Sequence, residues 1–159
     1  MSDDTARHAI EPGTGPGATT PWPDGAQVQV LLQAAAAARL RAHAPYSRFR
    51  VGAALLDEQG RVHAGCNVEN AAYPQGVCAE AGAISAMVLA GGSQIRAVLV
   101  LGAGTHLPTP CGGCRQKIRE FAAPATPILL ADAQQGLRAR FTLEQLLPHS
   151  FGPDHLVAP

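Results

Sequence analysis

Phe49-Arg50-Val51-Gly52-Ala53-Ala54-Leu55-Leu56 and Arg61-Val62-His63-Ala64-Gly65-Cys66-Asn67-Val68 are two short apolar runs joined by Asp57-Glu58-Gln59-Gly60. Runs of this length around a turn-forming tetrapeptide predict a β-hairpin. Downstream the pattern alternates. A helix is expected from Cys78 to Leu89, stopped by Gly91-Gly92, then a strand buried on both faces at Ala97–Leu101. A second helix from Gly113 to Phe121 and another buried strand at Pro127–Ala131 follow. Strand–helix alternation after a hairpin predicts parallel pairing through crossover helices, an α/β fold. Arg140–Leu143 reads as a short edge strand, and Glu144–Leu147 as a helical turn before Pro148.

Upstream of the hairpin, Ala26 to Ala44 is Ala-rich and free of Gly and Pro, with Leu32, Ala36 and Leu40 in one helical row. That predicts a helix ended by Pro45. Glu11 to Gly25 holds four Pro and four Gly, too many breakers for a regular element. Residues 1–25 are therefore expected to form a flexible tail and 26–159 a single folded domain.

Composition narrows the function classes. The chain has 159 residues, 47% of them apolar and 15% charged, and twelve Lys plus Arg balance twelve Asp plus Glu. A net charge of zero lacks the positive field that nucleic-acid or anionic-membrane binding needs. No segment approaches the ~20 apolar residues of a membrane helix. The acidic start, Met1-Ser2-Asp3-Asp4, has no hydrophobic stretch behind it, so a cytoplasmic location is expected. There, cysteines serve as thiols or metal ligands before disulfides.

Three of the four cysteines stand where helices are expected to begin, in Cys78-Ala79-Glu80 and in Pro110-Cys111-Gly112-Gly113-Cys114. The i, i+3 spacing puts the Cys111 and Cys114 sulfurs on one face of a first helical turn. Helix N-termini favour thiolate over thiol. Cys78, arriving from another helix start, lets three soft ligands converge on a zinc ion. Cys66 lies in an apolar run and reads as a core residue, and His106 as a loop residue. Three ligands with an open position mark a catalytic zinc site, whereas structural sites are closed by four. Glu80 is the candidate proton carrier, because first-turn side chains can reach a metal lying beyond the helix end. A lone Cys-Ala-Glu would read as complementing the helix dipole; its pairing with Pro110-Cys111-Gly112-Gly113-Cys114 favours the proton carrier.

With these motifs in hand, the chain resembles the zinc nucleoside and nucleobase deaminases, and specifically the small homotetrameric cytidine deaminases. The resemblance is carried by Pro45-Tyr46-Ser47-Arg48-Phe49-Arg50-Val51-Gly52-Ala53-Ala54, Gly65-Cys66-Asn67-Val68-Glu69-Asn70-Ala71-Ala72-Tyr73, Cys78-Ala79-Glu80, Cys111-Gly112-Gly113-Cys114-Arg115-Gln116 and Leu146-Leu147-Pro148-His149-Ser150-Phe151-Gly152-Pro153. It spans residues 26–156 in the expected order. It implies a three-layer α/β/α domain around a mixed five-stranded sheet, a dihedral homotetramer with shared active sites, and pyrimidine salvage from cytidine and deoxycytidine.

By resemblance, Cys78, Cys111 and Cys114 bind Zn2+ and Glu80 is the general acid/base. Water activated at the metal would attack C4 of a cytosine ring, while Glu80 carries a proton first to N3 and then to the departing amine. Asn67 and Glu69 would hold the ribose 3′-hydroxyl, Phe49 would pack against the base, Ala79 would contact the substrate, and Phe151 would come from a neighbouring subunit, with Tyr73 at the edge of the same pocket. Many three-cysteine relatives have Arg after Cys-Ala-Glu; here the residue is Ala81. Helix N–H donors or another cation, such as Arg115, are expected to offset the thiolate charge in its place.

Overall fold

The computed structural model describes residues 20–156; most of the expected tail, residues 1–19, lies outside them. The first helix, α1 (Gly25–Leu40), begins inside the stretch assigned to the tail. The reason is local. Asp24 accepts the Gln27 backbone N–H at 2.8 Å while the Gln27 side chain accepts the Asp24 N–H at 3.0 Å, a closed capping box. Just before it, Trp22 lies under the Arg140 guanidinium, 5.9 Å from the ring centroid.

The helix also stops earlier than Pro45. Arg41 is its C-cap, and His43 then leaves to pair with the segment at 67–69, its N–H donating to Asn67 O at 3.0 Å and its carbonyl accepting the Glu69 N–H at 2.7 Å. Tertiary pairing here displaces the last turn that Ala-rich sequence alone would have extended.

The hairpin is present as β1 (Gly52–Asp57) and β2 (Val62–Cys66), shorter at its open end than expected. Its turn is closed by the Asp57 carboxylate, which accepts the Gln59 and Arg61 N–H groups, and by Gly60 at φ +76. Then come α2 (Ala79–Leu89), β3 (Ile95–Gly102), α3 (Gly112–Phe121), β4 (Pro127–Asp132), β5 (Gly136–Thr142) and the short α4 (Leu143–Leu146).

The strands form one mixed sheet in the order β2-β1-β3-β4-β5. Only β3 and β4 pair in parallel, while β2 and β3 run the same way on either side of β1. The expected crossovers are thus both made, through α2 and through α3. The fifth strand is longer than its apolar run. Asp132 accepts the N–H groups of Gln134 and Gln135, and Gly136 at φ +73 completes a turn that zips residues 136–142 against β4.

Alternate residues of the central strands face opposite layers. Ala53, Leu55, Val98, Val100, Ile128 and Leu130 pack with Ala79, Ala83 and Met87 of α2 and Ile118 of α3. Ala54, Leu56, Leu99, Leu101 and Leu129 pack with Val28, Leu31 and Ala35 of α1. The result is the three-layer α/β/α arrangement with a mixed five-stranded sheet. No helix among the described residues is long and apolar enough to cross a membrane.

Candidate active site

Both crossover helices begin at a cysteine. Cys78 is the N-cap of α2 and Cys111 the N-cap of α3, each in extended backbone conformation, and Cys114 follows in the first turn of α3. The three sulfurs lie within 4.8 Å of one another, with Cys78 and Cys111 at 3.9 Å. Tetrahedral bonds of about 2.3 Å to zinc would space sulfurs roughly 3.8 Å apart, so the donor set fits that ion. His106 is exposed and Cys66 half-buried at the end of β2, and neither joins the cluster. Three protein ligands leave one position open.

The two parallel-running crossovers bring these helix starts to the carboxyl end of the central strands, where such sheets place their sites. Close packing of α2 on β2 sets the position of the first of them. A Cβ at Gly65 would meet Ala83 N at 2.3 Å and Ala79 O at 2.4 Å, so only glycine permits this approach.

Burial pushes the Cys114 thiol well above the usual range, with the Glu80 and Cys78 charges adding to it. Burial also raises Cys78. Cys111 behaves oppositely: partial desolvation is outweighed by the Cys114 backbone N–H and by the neighbouring thiols, which bring it below the usual range. That N–H is a first-turn donor of the kind expected to offset thiolate charge. Arg115 is engaged with backbone carbonyls. Its Nε donates to Pro110 O at 2.7 Å and its NH1 to Leu146 O at 2.8 Å, so the guanidinium braces the backbone on either side of α3.

Glu80, the second residue of α2, is 5% exposed. Desolvation raises its carboxyl above the usual range, opposed by its own backbone N–H, the Cys114 thiol and the Lys117 charge. Lys117 was not singled out in the sequence. Its Nζ folds back over the first turn of α3, 3.6 Å from where a Gly113 Cβ would stand; the i, i+4 relation to Gly113 is the signal that could have found it.

Beside Cys78 opens a cleft of about 570 Å³ whose walls include Tyr46, Asn67, Glu69 and Tyr73. Asn67 and Glu69 both face it, but their side chains also organise the chain opposite. Asn67 Nδ2 donates to Phe49 O at 2.9 Å and Oδ1 accepts the Val51 N–H at 2.8 Å. Glu69 accepts from the Ser47 hydroxyl and from the Tyr46 and Ser47 N–H groups. These bonds, the Ser47 hydroxyl foremost, hold its carboxyl below the usual range. Tyr73 stacks edge-on against Tyr46 at 6.1 Å and is largely exposed. Ala79 is fully buried in the single chain and is not a wall of this cleft. Phe49 and Phe151 are exposed and do not line this cleft.

Comparison with known proteins agrees with this geometry. The family model described as "Cytidine and deoxycytidylate deaminase zinc-binding region" matches residues 26–130, which include all three clustered cysteines and Glu80. A cytidine deaminase of Sporosarcina psychrophila is 40% identical over 130 residues, covering 81% of this chain and 94% of that one. One from Mycobacterium tuberculosis H37Rv is 42% identical over 115 residues, covering 72% and 82%. The crystal structure of cytidine deaminase from Burkholderia pseudomallei superposes with a TM-score of 0.72 at 41% identity, covering 77% of this chain and 98% of that one. Sheet order, helix starts and sequence likeness converge, and the chain belongs to the cytidine deaminase family.

Proposed function

We propose that this protein catalyses the zinc-dependent hydrolytic deamination of cytidine and deoxycytidine to uridine and deoxyuridine, releasing ammonia, and so serves pyrimidine salvage. The observation that carries this reading is a buried carboxylate, Glu80, beside three cysteine sulfurs spaced for one metal. Zinc held there supplies at neutral pH the nucleophile that free water does not.

The chain's own residues do the rest. Glu80, ionised, takes a proton from the attacking water and delivers it to ring N3, then transfers the second proton to the leaving amine at C4. Water and cytidine thus become uridine and ammonia. Because burial disfavours its charged form, Glu80 holds a proton more readily than a surface glutamate, which suits a group that must both take and give one. Asn67 and Glu69 bind the ribose 3′-hydroxyl from the cleft wall, with Tyr73 at its edge. Ala79 contributes its backbone, and Phe49 packs against the base.

The active protein is a homotetramer in which Phe151 of one subunit completes the pocket of another. Five of the seven aromatic residues are exposed in the single chain, which supports burial between subunits. A cytoplasmic location suits the free thiols on which the site depends.

The test is turnover of cytidine, deoxycytidine and blasticidin S by the zinc-loaded protein and by Glu80→Gln, followed by loss of aminopyrimidine absorbance. Both nucleosides are expected to react, and Glu80→Gln to lower kcat by ~10²–10⁴ with zinc retained. Turnover of blasticidin S alone, or of none of the three with one zinc per chain, would reject the assignment.

A further inference from the structure

Arg119 is a charged residue that the chemistry above does not use, yet it is 8% exposed. Burying a guanidinium costs free energy unless its donors and charge are matched, so its partners are informative. Nε donates to Ser150 Oγ at 3.0 Å, and NH2 donates to the Asp154 carboxylate. Between those two partners the chain passes directly over the guanidinium. A Cβ at Gly152 would meet its Cζ, NH2 and NH1 at 2.3, 2.4 and 2.7 Å, so the plane lies flat against a backbone that only glycine can provide.

Two neighbours on the same helix extend the hold. Gln116 Nε2 donates to Phe151 O at 2.9 Å, and Arg115 reaches Leu146 O. His149 adopts φ +51, a conformation that a non-glycine residue keeps only when its surroundings fix it. All of this ordering converges on one side chain that gains little from its own chain. Phe151 stacks on His155 at 5.0 Å, remains 57% exposed, and is not a wall of its own chain's cleft.

We propose that Arg119, clasping Ser150 and Asp154 across Gly152, is a positioning residue that sets Phe151 for the pocket of a second copy of this chain. The inference rests on the reading that Phe151 completes a neighbour's site, and adds the device that presents it. Holding the ring in its working orientation before assembly removes an ordering cost that substrate binding would otherwise bear. The same helix carries Cys111 and Cys114 at its start, so one rigid element fixes its own subunit's metal ligands and the aromatic lent to another.

The experiment is a double-mutant cycle on the zinc-loaded oligomer. Phe151→Ala and Arg119→Ala are each expected to raise KM for cytidine about tenfold, Arg119→Ala with kcat within about twofold of wild type and one zinc per chain. The double variant should have the KM of Phe151→Ala alone, because Arg119 acts through that ring. The Kd of the product uridine, measured by titration calorimetry, should follow the same pattern. Asp154→Asn, which changes only the exposed half of the clasp, should raise KM in the same direction and supplies the cycle if Arg119→Ala does not fold.

Independent, multiplying effects, or a change confined to kcat, would overturn the clasp. So would a raised KM in Phe151→Ala with none in Arg119→Ala or Asp154→Asn, which leaves the reading of Phe151 standing. No effect of Phe151→Ala rejects that reading together with the clasp. Co-expression of Arg119→Ala with excess Glu80→Gln should return part of the sites to wild-type KM, since Glu80→Gln subunits lend a well-set Phe151. Failure to do so would place the action of Phe151 within one subunit and overturn the proposal.

Discussion

The Cys78 and Cys111 sulfurs stand 3.9 Å apart, although the two residues are separated by 33 positions and cap different helices. A metal held by both would tie the first crossover helix to the second.

Removing one sulfur should therefore affect both fold and chemistry. Cys114→Ser is expected to lose stoichiometric zinc, to lower activity at least ~100-fold and to reduce the melting temperature, since metal bound to the native state stabilises it by mass action. Metal analysis and a thermal scan on the same samples check this. A Cys114→Ser protein with one tightly held zinc and full turnover would exclude Cys114 as a ligand.

Gly65→Ala should disturb the site from a distance. Its Cβ would press on the backbone of α2 at Ala79 and Ala83. The expected cost is about 1–3 kcal/mol in urea unfolding, with a fall in kcat because that helix carries Cys78 and Glu80. Gly25→Ala, whose Cβ would meet nothing within 4 Å, is the matched control and should be neutral.

Asn67 has a structural duty that a purely ligand-binding residue would lack. Asn67→Ala removes its bonds to Phe49 O and the Val51 N–H, which should cost about 1–3 kcal/mol as well as raise KM. An unchanged unfolding midpoint would show that the 49–51 segment does not depend on this side chain.

Asp57 predicts an acid-dependent loss of stability away from the active site. Its carboxylate is buried and accepts from Arg61 Nε at 2.7 Å, with His63 Nε2 at 2.8 Å. Desolvation opposes ionisation, but these partners and the turn N–H groups prevail, lowering its pKa from 3.8 to about 2. A folded-state value below the unfolded one stabilises above pH ~4, and that stabilisation, roughly 2 kcal/mol, is lost as pH falls from ~4 towards ~2. Urea midpoints of wild type and Asp57→Asn between pH 5 and 3 should converge as the pH drops. Parallel curves would mean that this ionisation does not differ between folded and unfolded chains.

The sequence by itself determined most of the elements and the three cysteines that cluster. The apolar run Ala53-Ala54-Leu55-Leu56, the Gly91-Gly92 stop and the Cys111–Cys114 spacing act over one turn or one short strand, so local sequence expresses them directly. Only the tertiary structure decided where helix α1 ends, because the competitor for its last turn is the segment at 67–69, more than twenty residues away. It also decided that Asn67 and Glu69 spend hydrogen bonds on residues 46–51, that Arg115 braces backbone while Lys117 folds back towards Gly113, and that Arg119 is buried. Periodicity says which face a side chain occupies, but not which distant segment will supply its partner. That choice is made when the chain closes on itself and each buried donor and charge must find an acceptor.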